Sequence, residues 1–300
     1  MIVLAAGEAI VEIAPDVGGA IASFRWRGRD ILRPTPPDAR AARDVRRHAC
    51  YPLVPYSNRI ANATLRDGGR DHALARNFGD SPHAIHGVGW QRPWALVAAT
   101  STSAQLALDH EATGDEASAW PWPFRATQTF ALRADDGCAE LVARLAIENT
   151  GAAAFPFGLG WHPFFPKPVG TTLAFDAAST WLNDDTLLPV ERVAVPDPWR
   201  YGTARPLGEV VLDHVFEPST GTATIAWPDA GLAVTIDADS ALDRRIVYVP
   251  ADRDFLAFEP ATHMTDAFNR AARGQPDTGT RQLPPGKSFS CTMRLNAIER

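Results

Sequence analysis

Apolar and polar residues alternate along this chain in short runs separated by turn residues. The runs Ile10–Ile13, Ala20–Trp26, Thr127–Leu132, Glu140–Glu148, Thr222–Trp227, Leu232–Ile236, Ile246–Val249 and Ser288–Leu295 are rich in β-branched and aromatic side chains. Their length, alternation and punctuation predict strands. Between them lie explicit turn sequences, among them Asp16-Val17-Gly18-Gly19, Asp135-Asp136-Gly137, Asn149-Thr150-Gly151 and Pro285-Gly286. Many strands joined by tight turns imply an all-β fold, a large antiparallel β-sandwich or barrel. Two short helices are expected, at Asp38–Arg46 and Ala267–Arg273. With 25 prolines and 22 glycines spread over the whole length, long helices have little room.

No tandem repeat, low-complexity linker or composition break divides the chain. Its 300 residues exceed the usual length of one domain, yet all-β folds place about 200 to 250 residues around one core, so one domain over 1–300 is expected. Apolar residues are 45% of the chain and charged residues 21%, a balance that excludes disorder, coiled coil and collagen. The net charge of -6 has the wrong sign for a nucleic-acid binder. Cys50, Cys138 and Cys291 are far apart and form no CxxC pair, which fits a reducing compartment, the cytoplasm. The first residues carry Glu8 and Glu12 and no basic leader, and no window approaches the roughly 18 consecutive apolar residues of a membrane span. No membrane association is expected.

Four segments carry unusual chemistry. In the first, Tyr51-Pro52-Leu53-Val54-Pro55-Tyr56 precedes Asn58-Arg59-Ile60, and its two prolines argue for a loop or sheet edge over a central strand. Arg59 offers a fork of donors suited to sugar hydroxyls or carboxylates, the alternative being a surface salt bridge. The second, His83-Ala84-Ile85-His86-Gly87-Val88-Gly89-Trp90, leaves three readings open: a metal pair, structural histidines, or polar contact with a ligand. A strand points residues three apart to opposite faces, and the glycines oppose a helix, which weighs against a shared metal. The third, Phe157-Gly158-Leu159-Gly160-Trp161-His162-Pro163-Phe164-Phe165, has one ionisable group, either a general acid or base or a core histidine bonded to a carbonyl. The fourth, Phe255-Leu256-Ala257-Phe258-Glu259-Pro260, ends an apolar strand on a carboxylate, with a proline expected to stop the ladder. Desolvation would make Glu259 a stronger base than a surface Glu, unless it turns outward at the strand's end.

Taken in order, Asn58-Arg59-Ile60, Ile85-His86-Gly87, His162-Pro163-Phe164-Phe165, Leu212-Asp213-His214-Val215-Phe216 and Glu259-Pro260, followed by Asp266-Ala267 and Asn269, resemble the aldose 1-epimerase (galactose mutarotase) family. The resemblance runs from Gly18-Gly19 to Leu283-Pro284-Pro285-Gly286. It implies that family's β-sandwich, with an open cleft for one sugar. It further implies that Glu259 is the general base at the anomeric hydroxyl and His162 the acid at the ring oxygen. His86 and Arg59 would hold the ring-side oxygens, and Asp213 would bind sugar hydroxyls. Read without the family, Asp213 is a solvated turn carboxylate.

Opening a sugar ring between C1 and its ring oxygen needs one base and one acid on opposite sides of the reacting atoms. No metal, cofactor or covalent intermediate is required, and the chain has no Walker loop, dinucleotide fingerprint or GxSxG elbow. Two further functions fit the same fold: a hexose-6-phosphate epimerase, which would need converging arginines, and a sugar-binding module without turnover. A pure binder has no need of a matched acid and base.

Overall fold

A computed structural model describes residues 1–300 and shows two large antiparallel sheets packed face to face. In the 11-stranded sheet the order in space is Ile2–Ala6, Ala9–Ala14, Ala20–Trp26, Cys50–Leu53, Gly160–Pro166, Phe255–Ala261, Arg244–Val249, Leu212–Glu217, Ser179–Asn183 and Pro189–Ala194, with Arg29–Asp30 appended to Ala20–Trp26. The second sheet has nine strands centred on the long antiparallel ladders of Phe124–Ala134, Cys138–Asn149, Ser288–Glu299 and Leu232–Ala238. This is the β-sandwich that the strand runs predict.

Side chains in a strand alternate between faces, and in the first sheet both faces are occupied. Trp161 and Phe165 of one strand, with Leu256 and Phe258 of the next, point toward the second sheet and join its Phe130, Leu141, Leu145 and Leu295 in one continuous core. The Phe130 and Trp161 rings meet across the layers at 6.1 Å. On the opposite face a smaller buried cluster contains Tyr51, Leu53, Phe164, Ala257 and Trp90, with Tyr248 and Phe255 partly buried against it. A sheet covered on one side only would leave these positions wet. Here the segments around Val54 and Gly87 fold over them: Val54 accepts hydrogen bonds from the Val88 and Gly89 N–H groups, each at 3.0 Å. Gly87 makes this approach feasible, because a Cβ on it would stand 2.3 Å from the Val54 carbonyl oxygen.

Three local expectations are corrected. Cys50–Leu53 is a central strand despite Pro52. It pairs with Ala20–Trp26 only at Ile21–Cys50, so the missing Pro52 N–H breaks no extended ladder. Pro260 does not end its strand either: the ladder passes through Arg245–Pro260 to Arg244–Ala261. The helix expected at Asp38–Arg46 is split into an α-helix at Pro37–Ala42 and a 3-10 turn at Val45–Arg47, separated by Arg43 in a left-handed conformation. At Ala267–Ala272 the second short helix forms as expected, one residue shorter. No helix is long and apolar enough to cross a membrane.

The strands that carry His162 and Glu259 are held from behind by large core side chains. Phe258 is fully buried, so Phe258→Ala should destabilise the protein by about 3–5 kcal/mol, transfer and cavity terms together. Urea denaturation at neutral pH measures this, and a loss below about 1 kcal/mol would show that the two sheets are not clamped at this point.

Candidate active site

Alternation decides which side chains reach the outer face of the first sheet. On Gly160–Pro166 they are His162 and Phe164; on Phe255–Ala261 they are Phe255, Ala257 and Glu259. The register that pairs Gly160 with Ala261 and Phe164 with Ala257 brings His162 opposite Glu259. Their side chains meet, His162 Nε2 to Glu259 Oε1 at 3.1 Å. Both residues are buried, at 7% and 2% exposure, and Glu259 Oε2 and His162 Nδ1 have no partner. The pair lies on the floor of a cavity of about 750 Å³.

The walls come from neighbouring strands and the overlying loops. Asp213 stands on Leu212–Glu217 beside Tyr248 of Arg244–Val249, and Ile246 of that strand pairs with Glu259. Arg59, in a two-residue strand paired with Ala84–Ile85, places Nη2 3.8 Å from Asp213 Oδ2. Arg59 is therefore a cavity residue and not a surface salt bridge, and Asp213 is a strand residue and not a solvated turn carboxylate. Asn58 steadies the guanidinium, its Oδ1 accepting from Arg59 N–H at 2.9 Å and from Nη1 at 3.0 Å. His86 completes the wall, its ring 5.3 Å from that of His162. Its Nδ1 accepts from the Asn58 N–H at 3.0 Å, which places the ring hydrogen on Nε2. His83 makes the same kind of bond to Asn62 N–H at 3.0 Å but lines no part of the cavity.

All five residues singled out in the sequence, Arg59, His86, His162, Asp213 and Glu259, line this one cavity. Others escaped notice: Tyr51 and Phe164 flank the His162 ring at 4.7 and 4.4 Å, and Arg33, Tyr248 and Phe255 complete the aromatic side. For Tyr51, Phe164 and Phe255 the signal was present, since each stands inside one of the four segments. For Arg33 there was none. Asp266 and Asn269 act at one remove. Asp266 Oδ1 accepts from Ala61 N–H at 3.0 Å and from Asn269 Nδ2 at 2.6 Å, while Asn269 Oδ1 accepts from Arg66 N–H at 2.8 Å. Together they fasten the segment that carries Arg59.

Burial dominates the electrostatics. It pushes the Glu259 carboxyl well above the usual range, helped by the nearby Asp213 charge and opposed by Arg59. His162 goes well below its ordinary value, again chiefly through burial, with His86 and Arg33 adding to the shift. His86 falls to about 3 for the same first reason, then Arg59. Burial also raises Asp213, against the pull of Arg59. Both members of the Glu259–His162 contact thus favour their uncharged forms, and the pair as a unit holds one proton. An acid and a base that share one proton across 3.1 Å can take a proton from one oxygen of a ligand and give one to another without changing net charge.

The chain and its fold resemble known proteins. The family model described as aldose 1-epimerase matches residues 1–296. The Escherichia coli K12 protein YphB is 29% identical over 294 residues, 93% of each chain. Among solved structures, a candidate aldose 1-epimerase from Escherichia coli K12 superposes with a TM-score of 0.87 at 26% identity, covering 99% of this chain and 98% of that one. A galactose mutarotase-like protein from Clostridium acetobutylicum superposes with a TM-score of 0.84 at 18% identity, over 99% and 95% of the two chains, and shows the same fold.

Six histidines, His48, His83, His86, His110, His162 and His263, are depressed, burial being the first cause in each. The unfolded chain protonates them near 6.5, whereas the folded protein resists, so their stabilising contribution is present above 6.5 and lost as pH falls. Asp30, Asp213 and Glu259 are raised and act with the opposite sign. Unfolded histidines take up their protons within this range, so the histidine contribution lowers the urea midpoint between pH 7.5 and pH 5.5 (about one unit either side of the ordinary imidazole value), and the three carboxyls reduce that fall. A midpoint that rises on acidification would contradict the burial of these rings.

Proposed function

Because the chain belongs to the aldose 1-epimerase family, we propose that it interconverts the α and β anomers of an aldose, with all 300 residues serving one site. The observation that carries this reading is the buried Glu259–His162 contact at 3.1 Å on the cavity floor. Such a pair has no structural need to be ionisable, since apolar residues of similar volume would fill the same space at lower cost.

The proposed cycle begins with a sugar whose C1 hydroxyl and ring oxygen replace the mutual contact of the pair. As the sugar enters, the one proton of the pair passes to His162; the Glu259 carboxylate then takes the proton from the C1 hydroxyl as the bond between C1 and the ring oxygen breaks, and the His162 imidazolium delivers its proton to that oxygen. C1 is then an aldehyde. Rotation about the C1–C2 bond presents its other face, the C5 hydroxyl attacks, and both protons return along the same routes. Desolvation makes Glu259 basic enough for this task and His162 acidic enough, the direction in which burial moves each. His86, with its hydrogen on Nε2, and Arg59 donate to the ring-side oxygens, while Asp213 accepts from a hydroxyl. Proton transfer alone completes the reaction, and no step calls for a metal or cofactor.

Glu259→Gln removes the base and His162→Asn removes the titrating acid, so each should lower anomer exchange by about a hundredfold to ten-thousandfold. Polarimetry or NMR exchange, with spontaneous mutarotation subtracted at each pH, provides the measurement. The wild type should follow a bell-shaped pH curve. Its acid limb should lie below the ordinary imidazole value of 6.5 and its basic limb above the ordinary carboxyl value of 4.5. Wild-type exchange in both variants would remove the pair from the mechanism.

A further inference from the structure

Arg33 lines the same cavity, beyond Phe164 as seen from His162. Its guanidinium is sandwiched between two rings, with Cζ 4.0 Å from the centre of Phe164 and 4.3 Å from that of Phe255. Phe164 in turn stacks on His162 at 4.4 Å. Nη2 donates to the carbonyl oxygens of Arg46 and His48 at 3.2 and 3.0 Å. The Arg33 backbone N–H donates to the Phe164 carbonyl at 2.8 Å. The side chain is thus fixed in orientation and in plane.

Arg33 forms no ion pair. The other arginines of the cavity all do: Arg59 with Asp213, Arg46 with Asp44, Arg47 with Asp38 and Arg253 with Asp252. Asp254 and Asp44 act on it only from a distance, and burial lowers its pKa to about 10, which leaves it cationic at neutral pH. Nη2 makes the side chain's only hydrogen bonds, Nε is closed off from the cavity, and Nη1 is left as the one donor without a protein acceptor that a ligand can use. A half-buried guanidinium without a carboxylate is costly to maintain. One that keeps Nη1 free, between two aromatic faces that cannot accept it in plane, is built to receive an anion.

From this geometry we propose that the substrate is an anionic aldose, whose acidic group, a phosphate or carboxylate on the carbon farthest from C1, is bound by Arg33. The inference rests on the proposed epimerase reading. With C1 over the Glu259–His162 pair, the far end of a pyranose extends past Phe164 to the guanidinium. Neutral hexoses fit the same floor but leave the cation unpaired, so charge and not ring stereochemistry makes the first selection.

Binding separates this proposal from the reaction. The probes are 1,5-anhydroglucitol and its 6-phosphate, which have no anomeric hydroxyl and cannot turn over, and calorimetry reads their affinities. The wild type should bind the phosphorylated analogue about ten to a hundred times more tightly, the range of a charge-assisted contact. In Arg33→Gln that preference should vanish while the neutral analogue binds as before; Arg33→Lys, which keeps the charge and loses the fork, should retain part of it. A wild type that binds the two analogues equally, or a preference that survives in Arg33→Gln, overturns the assignment. Should Arg33→Gln fail to fold, the decision passes to Arg33→Lys and to the salt dependence of the wild-type preference, which must decline as ionic strength rises. Glucuronate and glucose 6-phosphate as mutarotation substrates then distinguish carboxylate from phosphate. Absence of turnover on every sugar, with the phosphate preference intact, would defeat the epimerase reading and leave the anion site standing.

Discussion

Withdrawing an ionisable pair from water costs several kcal/mol per ion unless the two groups meet in good geometry or give up their charges. The contact of His162 Nε2 with Glu259 Oε1 at 3.1 Å does both: the two atoms stand at hydrogen-bond distance, and burial drives each group toward its uncharged form. Everything near the pair serves to hold that geometry. A slip of one residue between Gly160–Pro166 and Phe255–Ala261 would turn Glu259 into the core and bring Phe258 to the cavity floor. The register is fixed from the other side, where Trp161, Phe165, Leu256 and Phe258 interlock with the second sheet. Core packing and site geometry are therefore one constraint seen from the two faces of a strand pair.

The prolines show how far local rules extend. Pro52, Pro163 and Pro260 each stand within a central strand of the first sheet, where a missing N–H would ordinarily interrupt the ladder. The ladder is already sparse there. Cys50–Leu53 touches Ala20–Trp26 at one pair, and the pairing between Gly160–Pro166 and Phe255–Ala261 is interrupted between Gly160 and Phe164. The sequence alone puts the Pro52 segment at an edge and ends the Glu259 strand at Pro260, because proline's penalty is weighed against a full set of bonds. In this sheet side-chain packing on both faces takes over from the backbone ladder in holding the strands. The alternating runs, which lack proline, all appear as strands: Ala20–Trp26 residue for residue, the others with one or both ends shifted by one to four residues.

The five residues taken from the motif order converge on one cavity, and that much was legible because each stands in a short segment whose neighbours constrain it. Arg33 was not legible. Nothing between Leu32 and Pro34 marks it, and its environment comes from Phe164 and Phe255, remote in the chain and adjacent only after the strands have paired. The burial of Asp213 escaped for the same reason: an isolated aspartate is usually solvated, and only Arg59 and Tyr248, delivered by two other segments, make it part of a wall.

Backbone strain shows where the site is fixed in advance. Asn58, His86 and Asp266 all adopt the left-handed region, with φ of 57°, 59° and 56°, a conformation costing of order 1–3 kcal/mol where side chains resist it. Hydrogen bonds oppose that cost: His86 N–H to the Asn58 carbonyl at 2.9 Å, Asp266 N–H to the Arg59 carbonyl at 2.8 Å, and the Asp266–Asn269 brace. The wall containing Arg59 and His86 is therefore shaped before any ligand arrives. Floor and wall then carry different duties. His162 and Glu259 cannot move without resetting the register of the central strands, so the chemistry of the floor is bound to the fold. Arg33 belongs to the irregular segment between Arg29–Asp30 and the helix at Pro37–Ala42, where substitution disturbs no ladder. A sandwich organised in this way can keep one buried acid–base pair on its floor and reshape the cavity above it by altering only the loops.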